Sequence, residues 1–281
     1  NYGLGFMVIF MLHFTVATKQ PAMTAARFAE AVEKTPQGKS VNMKLAQLLV
    51  DVFRSQSIAV LGNVLIAMGL AALIAFGYQY KTGEPLMNAD QIAYQLHSID
   101  PFAGTLWFAA IAGVWLFCSG IISGYFDNRS NYLNMRMRLT QHPLLKKLMS
   151  EKTRVKFANY MHENYGSLIG NLCFGMLLGI TGVVGYLTHL PLDIRHVAFS
   201  SANVGYIAVS GQFTYSLLLQ CIGFVLLIGL VNLIVSFSLT LWVALRSLNT
   251  EIDSWWPIWH EVCQIVKKRP LSLFLPVQLD K

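Results

Sequence analysis

The side chains that could carry chemistry inside the apolar parts of this chain are few. One imidazole and four amides stand out: His13, Asn63, Asn171, Asn203 and Asn232. An amide in an apolar helix either bonds to a neighbouring helix or lines a polar path. His13 is the only ionisable side chain near the middle of an apolar segment, where ionisable groups usually serve a function. These five residues are our candidates for a polar path or cavity.

Several other kinds of site are not expected. The last four apolar segments contain no Asp, Glu, Lys or Arg, so ion coupling through a carboxylate inside a membrane is not expected. The four cysteines have no metal-ligand spacing, and no phosphate-binding loop or dinucleotide fingerprint is present. We predict no catalytic residues, no metal site and no cofactor, and a protein that leans away from being an enzyme.

The elements that carry these residues are typical of a membrane protein. The chain is 54% hydrophobic and only 12% charged, with a mean hydropathy of +0.49, whereas soluble domains carry about 25% charged residues. Five apolar segments are long enough, or nearly so, for a ~30 Å hydrocarbon core. They cover residues 2–17, 58–78, 102–126, 166–187 and 216–245.

Lys and Arg alternate between the gaps that separate these segments. Nineteen of the 21 lie in residues 18–57, in residues 127–165 and after residue 245. Basic residues favour the cytoplasmic side of a membrane, so these regions should lie inside, with the C-terminus. We therefore predict an all-α bundle of five transmembrane helices, with a polytopic domain at residues 1–249 and a cytoplasmic tail at 250–281.

Residues 196–211 are apolar enough to suggest a sixth crossing, but that crossing would place the basic tail outside. We expect this segment either to re-enter the membrane from the outer side or to lie along the outer surface as an amphipathic helix. Non-helical backbone at membrane depth is tolerated only where protein or water lines it, so a re-entrant segment would mark a cavity.

The inner loops should contain amphipathic helices. Apolar residues recur at helical spacing between Val41 and Phe53, just before the second span. Pro143 favours the start of a short basic helix, and Asn88 can cap a small outer helix. We expect Lys19, Asp127 and Arg129 to form structural corners at the inner ends of two spans; gate or partner contacts are the alternative.

Two further sets of residues have structural predictions. Gly120, Gly124, Gly175 and Gly179 should let helices pack closely, since missing side chains allow backbones to approach. The fourth span, which is rich in glycine, should be the central and most buried helix. The basic set of the second inner loop could contact anionic lipid or a protein partner; it comprises Lys146, Lys147, Arg154 and Lys156.

Long stretches of the chain resemble one family of proteobacterial membrane proteins, labelled site-specific recombinase or Gcr-type. The stretches are NYGLGFMVIFMLHFTVATKQPAMTA, VFRSQSIAVLGN, IAGVWLFCSGIISGYFDNR and LDIRHVAFSSAN, with residues 230–246. The resemblance implies an inner-membrane location. It also implies that the chain is the C-terminal membrane portion of a longer protein.

We consider three functions for this protein. The first is a non-enzymatic component that moves or accommodates a lipid-like or small solute, or anchors a complex. The second is a scaffold that binds a protein through its basic cytoplasmic loops. The third is DNA strand exchange, as the family label says, but the basic residues are spread over three loops and His142 and His162 form no recognisable site with a tyrosine. We expect membrane lipids as partners, nucleic acid is not expected, and an oligomer is compatible with the sequence.

Overall fold

The computed structural model describes residues 2–12, 20–33, 39–211, 214–249, 252 and 254–273. These residues form helices joined by short connections, and they contain no strand. Short 3-10 turns cover Pro101–Ala103 and Pro270–Leu273. The helices are α1 (Tyr2–Met11), α2 (Gln20–Glu33), α3 (Lys39–Thr82), α4 (Ala89–Ile99), α5 (Thr105–Tyr132), α6 (Met135–Gln141), α7 (Pro143–Leu148), α8 (Glu151–Thr188), α9 (Val197–Ala208), α10 (Tyr215–Ser247) and α11 (Trp256–Lys268).

The predicted all-helical membrane architecture is confirmed. Within the described residues, four helices are long and apolar enough to cross a membrane: α3, α5, α8 and α10. The first predicted span is described only in part, as α1, and residues 13–17 lie outside the described residues. The count of five spans stays a prediction.

Local sequence signals explain where several helices begin. Asn88 accepts a hydrogen bond from the Gln91 backbone N–H, and the Gln91 side chain accepts one from the Asn88 N–H, so α4 starts with the predicted cap. This capping box satisfies two backbone donors that would otherwise be unpaired. Pro143 stands at the start of α7, also as predicted. The predicted amphipathic helix runs without a break into the second span, as α3 of 44 residues.

The described chain forms two compact units, and α2 and α5 each contribute residues to both. The first unit draws on Asn1–Ala22 and Trp115–Leu192. Here α1 packs on α8, where the Phe6 and Phe174 ring centroids are 5.2 Å apart. The prediction that the fourth span is the most buried is confirmed, because 44% of the apolar stretch of α8 is buried, more than in the other three long helices.

The second unit draws on Met23–Val114 and Asp193–Lys281. It contains two apolar clusters. One joins α2, α3, α10 and α11 around Phe28, Leu45 and Ile258. The other joins α3, α4, the start of α5, α9 and α10, and includes Ile99 and Val204. Several polar contacts between distant parts of this unit surround α9.

Candidate functional site

The predicted polar-path residues lie on different helices. His13 lies outside the described residues. Asn63 is half-buried on α3. Asn171 is buried on α8 and donates to the Ser167 carbonyl one turn earlier at 2.8 Å. Asn203 on α9 donates to Gln95 Oε1 on α4 at 2.7 Å.

Asn232 has the richest set of contacts among these residues. It lies near the middle of α10 and is 2% exposed. Its Oδ1 accepts the Val197 N–H at 3.1 Å, and its Nδ2 donates to the Ala109 and Arg195 carbonyls at 2.7 and 3.0 Å. One amide therefore satisfies the first donor of α9 and two backbone acceptors, which buried backbone groups require. It holds the start of α9 against α5 and α10.

The structure places α9 beside the apolar part of α3. At Gly205, a Cβ would clash with the Met68 carbonyl oxygen, so the two helices are in backbone contact. Met68 lies midway along the predicted second span. With 12 residues, α9 is about 18 Å long, too short for a ~30 Å hydrocarbon core. The choice between re-entry and a position along the outer surface stays a prediction for residues 196–211.

Arg195 fixes the segment that leads into α9. Its Nη1 pairs with Asp193 Oδ2, and its Nε donates to the Ser98 carbonyl at 2.8 Å. The guanidinium also lies over the Phe108 ring, 5.6 Å from its centroid. Thr105 Oγ1 donates to the same Ser98 carbonyl at 3.0 Å. A charged side chain and a hydroxyl thus join the end of α4, the start of α5 and the approach to α9.

His196 caps α9 and belongs to none of the four long helices. It is 4% exposed, and its Nδ1 accepts the Ala198 N–H at 3.4 Å. Burial disfavours the charged imidazolium and lowers the pKa of His196 to about 4. The side chain is therefore neutral at neutral pH, in the state that lets Nδ1 accept this bond.

The predicted inner junction is described in part, since Lys19 lies outside the described residues. Asp127 Oδ1 accepts the Gly166 N–H at 3.1 Å and so joins α5 to α8. Arg129 Nη1 donates to the Tyr125 hydroxyl at 3.3 Å, one turn away on the same helix. Both contacts are structural links within the first unit.

The glycines predicted to promote packing have different surroundings. A Cβ at Gly175 would clash with the Gly3 backbone, which shows that α1 and α8 are in backbone contact. At Gly179 the nearest atom, on the Tyr2 ring, would lie at 3.5 Å, an ordinary contact. Gly120 is buried, whereas a Cβ at Gly124 would meet nothing within 4 Å.

The predicted basic set lies on two consecutive helices. Lys146 and Lys147 are on α7 and exposed, and Lys156 is exposed on α8. Arg154 is half-buried; its Nη1 donates to the Met149 carbonyl at 3.5 Å, and its buried Nε has no partner among the described residues. Three of the four charges are thus free to face an acidic surface.

A cavity of about 750 Å³ opens within the second unit, and we call it the apolar groove. It is lined from α3, α10 and α11 by residues that include Val50, Phe53, Phe237, Leu241, Val262 and Val266. Ser238 is its one hydroxyl-bearing lining residue. None of the five predicted polar-path residues lines it.

Sequence reasoning missed this groove, although two of its signals were visible. Trp255, Trp256 and Trp259 lie close together in the sequence after the last predicted span, and Trp255 and Trp259 line the groove together with Trp242. Residues 256–268 also alternate apolar and polar residues at helical spacing. These signals predict an interfacial helix, but they do not say which helices it would cover.

Among the described residues, no three His, Cys, Asp or Glu side chains lie close enough to hold a metal ion.

Comparison with known proteins gives one finding. No curated protein and no solved structure matches this chain. The family model described as "Site-specific recombinase" matches residues 1–276. The chain therefore belongs to the site-specific recombinase family.

Proposed function

We propose that this protein is a non-enzymatic, multi-pass component of the bacterial inner membrane that accommodates lipid in the apolar groove, with its C-terminus in the cytoplasm. The observation that carries the proposal is the groove itself. Its volume of about 750 Å³ lies within the range of about 300–1,000 Å³ that is typical of small-molecule sites. The orientation rests on the distribution of Lys and Arg.

The chemistry of the lining favours an acyl chain over a polar solute. Aliphatic and aromatic side chains dominate, and they offer no ion or hydrogen-bond network that could replace the hydration of a polar ligand. Trp242, Trp255 and Trp259 add amphipathic rings, which favour the headgroup level of a bilayer. The groove also lies along α10, one of the four helices suited to a membrane.

The test fills the groove and measures retained lipid. Ser238 is exposed and lines the groove, so Ser238→Phe should occupy part of its volume. Gly223→Phe is the matched control on the same helix, because a Cβ there would meet nothing within 4 Å. Each protein is purified in detergent, and bound phospholipid is counted by native mass spectrometry.

We expect Ser238→Phe to retain clearly less phospholipid than the wild type, and Gly223→Phe to retain the wild-type amount. Equal retention in all three proteins, with both variants folded by size-exclusion profile and melting temperature, would rule out the groove as a lipid site.

A scaffold function is the second candidate, and one observation favours it. Leu144 and Leu148 of α7 are 61% and 78% exposed, next to the exposed Lys146 and Lys147. Exposed apolar residues among charges are typical of a binding surface. Reversing Lys146, Lys147, Arg154 and Lys156 to Glu should release a stoichiometric protein partner. Unchanged co-purification would count against this function.

The family description also names DNA recombination as a candidate function. Neutralising many phosphates makes DNA affinity fall steeply with salt. Tight, salt-steep binding of duplex DNA by the purified chain would support recombination. Weak DNA binding that does not change with salt concentration would rule out recombination as the function.

A further inference from the structure

One end of the apolar groove adjoins polar and basic residues. Phe53 and Leu273 line this end, and each has a polar neighbour in sequence, Arg54 and Ser272. Arg54 Nη1 donates to the Ser272 carbonyl at 3.4 Å, which brings α3 and the last 3-10 turn together. The polar pair therefore lies directly beside the apolar lining.

Two groups at this end have unused hydrogen-bonding capacity. Ser272 is 3% exposed, and its Oγ has no partner among the described residues. The side chain of Arg54 is 20% exposed and pairs through Nη2 with Asp51 Oδ1 at 2.8 Å. Asp51 is 41% exposed, so water weakens this ion pair. Because a guanidinium has five N–H donors, Arg54 can bind an oxyanion while it keeps the bond to Asp51.

Further positive charge follows at the end of α11 and just after it. Val266 lines the groove, and the next three residues, Lys267, Lys268 and Arg269, are basic and exposed. The Ser272 N–H donates to the Arg269 carbonyl at 2.9 Å, so the basic run and the buried hydroxyl belong to one short segment. Four basic residues and one unpartnered hydroxyl thus lie next to an apolar cavity.

We infer that this end of the groove binds the phosphate of an anionic phospholipid whose acyl chain lies in the groove. The inference rests on the proposed function and adds the headgroup class to it. Arg54 and the unpartnered Ser272 hydroxyl recognise phosphate oxygens, and the exposed charges of Lys267, Lys268 and Arg269 select a headgroup with net negative charge. Free phosphate can make the same contacts with Arg54 and Ser272, but it lacks an acyl chain to fill the groove.

The experiment uses the full chain, purified and delipidated in detergent. Affinities are measured by native mass spectrometry for short-chain phosphatidylglycerol and for phosphatidylcholine of the same chain length, with inorganic phosphate as a competitor. The variant is Arg54→Gln. The matched control is Arg138→Gln, which removes an exposed arginine from α6 in the first unit.

We expect the wild type to prefer phosphatidylglycerol. Arg54→Gln should weaken phosphatidylglycerol binding about fivefold, the factor for one cation near an anionic headgroup, and should also weaken phosphatidylcholine binding, because that lipid carries the phosphate that Arg54 contacts. Arg138→Gln should match the wild type. Inorganic phosphate at millimolar concentration should not displace the lipid; displacement would indicate a free-phosphate site and overturn the inference.

A second variant protects the test if Arg54→Gln fails to fold because Asp51 loses its partner. Lys267→Gln with Lys268→Gln changes only exposed side chains and should reduce the preference for phosphatidylglycerol by up to about 25-fold, since each lysine accounts for about fivefold. An unchanged preference in every folded variant would overturn the headgroup assignment. Ser238→Phe distinguishes the groove from the headgroup site. If Ser238→Phe weakens the binding of both lipids while the charge variants have no effect, the groove is supported as a lipid site and the headgroup assignment is contradicted.

Discussion

The packing inside each of the two units depends on different contacts. In the first, backbones meet where side chains are missing, as at Gly166 and Gly175 of α8, where a Cβ would clash with the facing helix. The second also has such a contact, between Gly205 of α9 and Met68 of α3, but there the Asn232 amide and the Arg195 guanidinium bind backbone groups of neighbouring segments as well, and an apolar cavity remains. Close backbone contact leaves little freedom to rearrange, whereas the apolar cavity of the second unit has room for a ligand. The lipid site that we propose therefore lies in the second unit.

The largest effect is expected for Gly166→Ala in the first unit. A Cβ there would clash with the Ser123 carbonyl and with Asp127, whose Oδ1 also accepts the Gly166 N–H. Overpacking of this kind costs roughly 1–3 kcal/mol, and we expect the upper end because one clashing atom is backbone. The melting temperature in detergent measures the loss.

Gly182→Ala on the same helix is the control for this substitution. A Cβ at Gly182 would meet nothing within 4 Å. Alanine is the better helix former by about 1 kcal/mol, so this variant should be as stable as the wild type or more so. Equal destabilisation of both variants would show that α8 tolerates side chains at neither position, and the comparison would fail.

The next largest effect is expected for Asn232→Ala in the second unit. It leaves the Val197 N–H and the Ala109 and Arg195 carbonyls without their partner. An unsatisfied buried polar group costs about 1–3 kcal/mol, and we expect a loss of about 2 kcal/mol. Hydrogen exchange should quicken in α9 and stay unchanged in α8. Asn128→Ala, at an exposed position of α5, is the control.

Acid should loosen the start of α9 through His196. Its pKa is about 4 in the folded chain and near 6.5 when exposed, so the unfolded state binds more protons between these values. The contribution of neutral His196 to stability is complete above pH 6.5 and falls as the pH drops towards 4. By pH 5 the loss should be about 1–2 kcal/mol. Stability that does not differ in pH dependence from His196→Gln would contradict this assignment.

The smallest effect is expected for Trp115→Phe in the first unit. It removes the bond from Trp115 Nε1 to Thr181 Oγ1, 2.8 Å long, and keeps most of the ring volume. A hydrogen bond between two membrane helices contributes about 0.6 kcal/mol on average. If backbone contact holds this unit together, the melting temperature should change by only a degree or two. A loss of stability as large as that of Asn232→Ala would contradict the proposed difference in packing between the two units.

Much of the fold was predictable from local signals. Uninterrupted apolar runs gave the four long helices, and the Asn88 cap and Pro143 gave the starts of α4 and α7, because each signal lies within a few neighbouring residues. The GxxxG spacing of Gly120 and Gly124 was less informative, since it does not say which face of a helix meets a partner. The structure leaves Gly124 facing open space and buries Gly166 instead.

The candidate site was only partly predictable. Asn232 stood out as an amide in an apolar run, but its role depends on Val197 and Ala109, which are far away in sequence. The apolar groove combines residues of α3, α10 and α11, so its lining could not be read from any one segment. Arg54 was noted only as a topology charge, because nothing near it in sequence points to Ser272.

The link between Asn232 and Val197 also bears on how the protein is made. The amide that satisfies the first N–H of α9 is synthesised 35 residues after it, on the following helix. When α9 leaves the ribosome, this partner has not yet emerged from it, so α9 cannot reach its final position until α10 has entered the bilayer. Assembly of the second unit must therefore wait for α10, and a nascent chain that stops between the two helices should be recognised by quality-control proteases as incomplete.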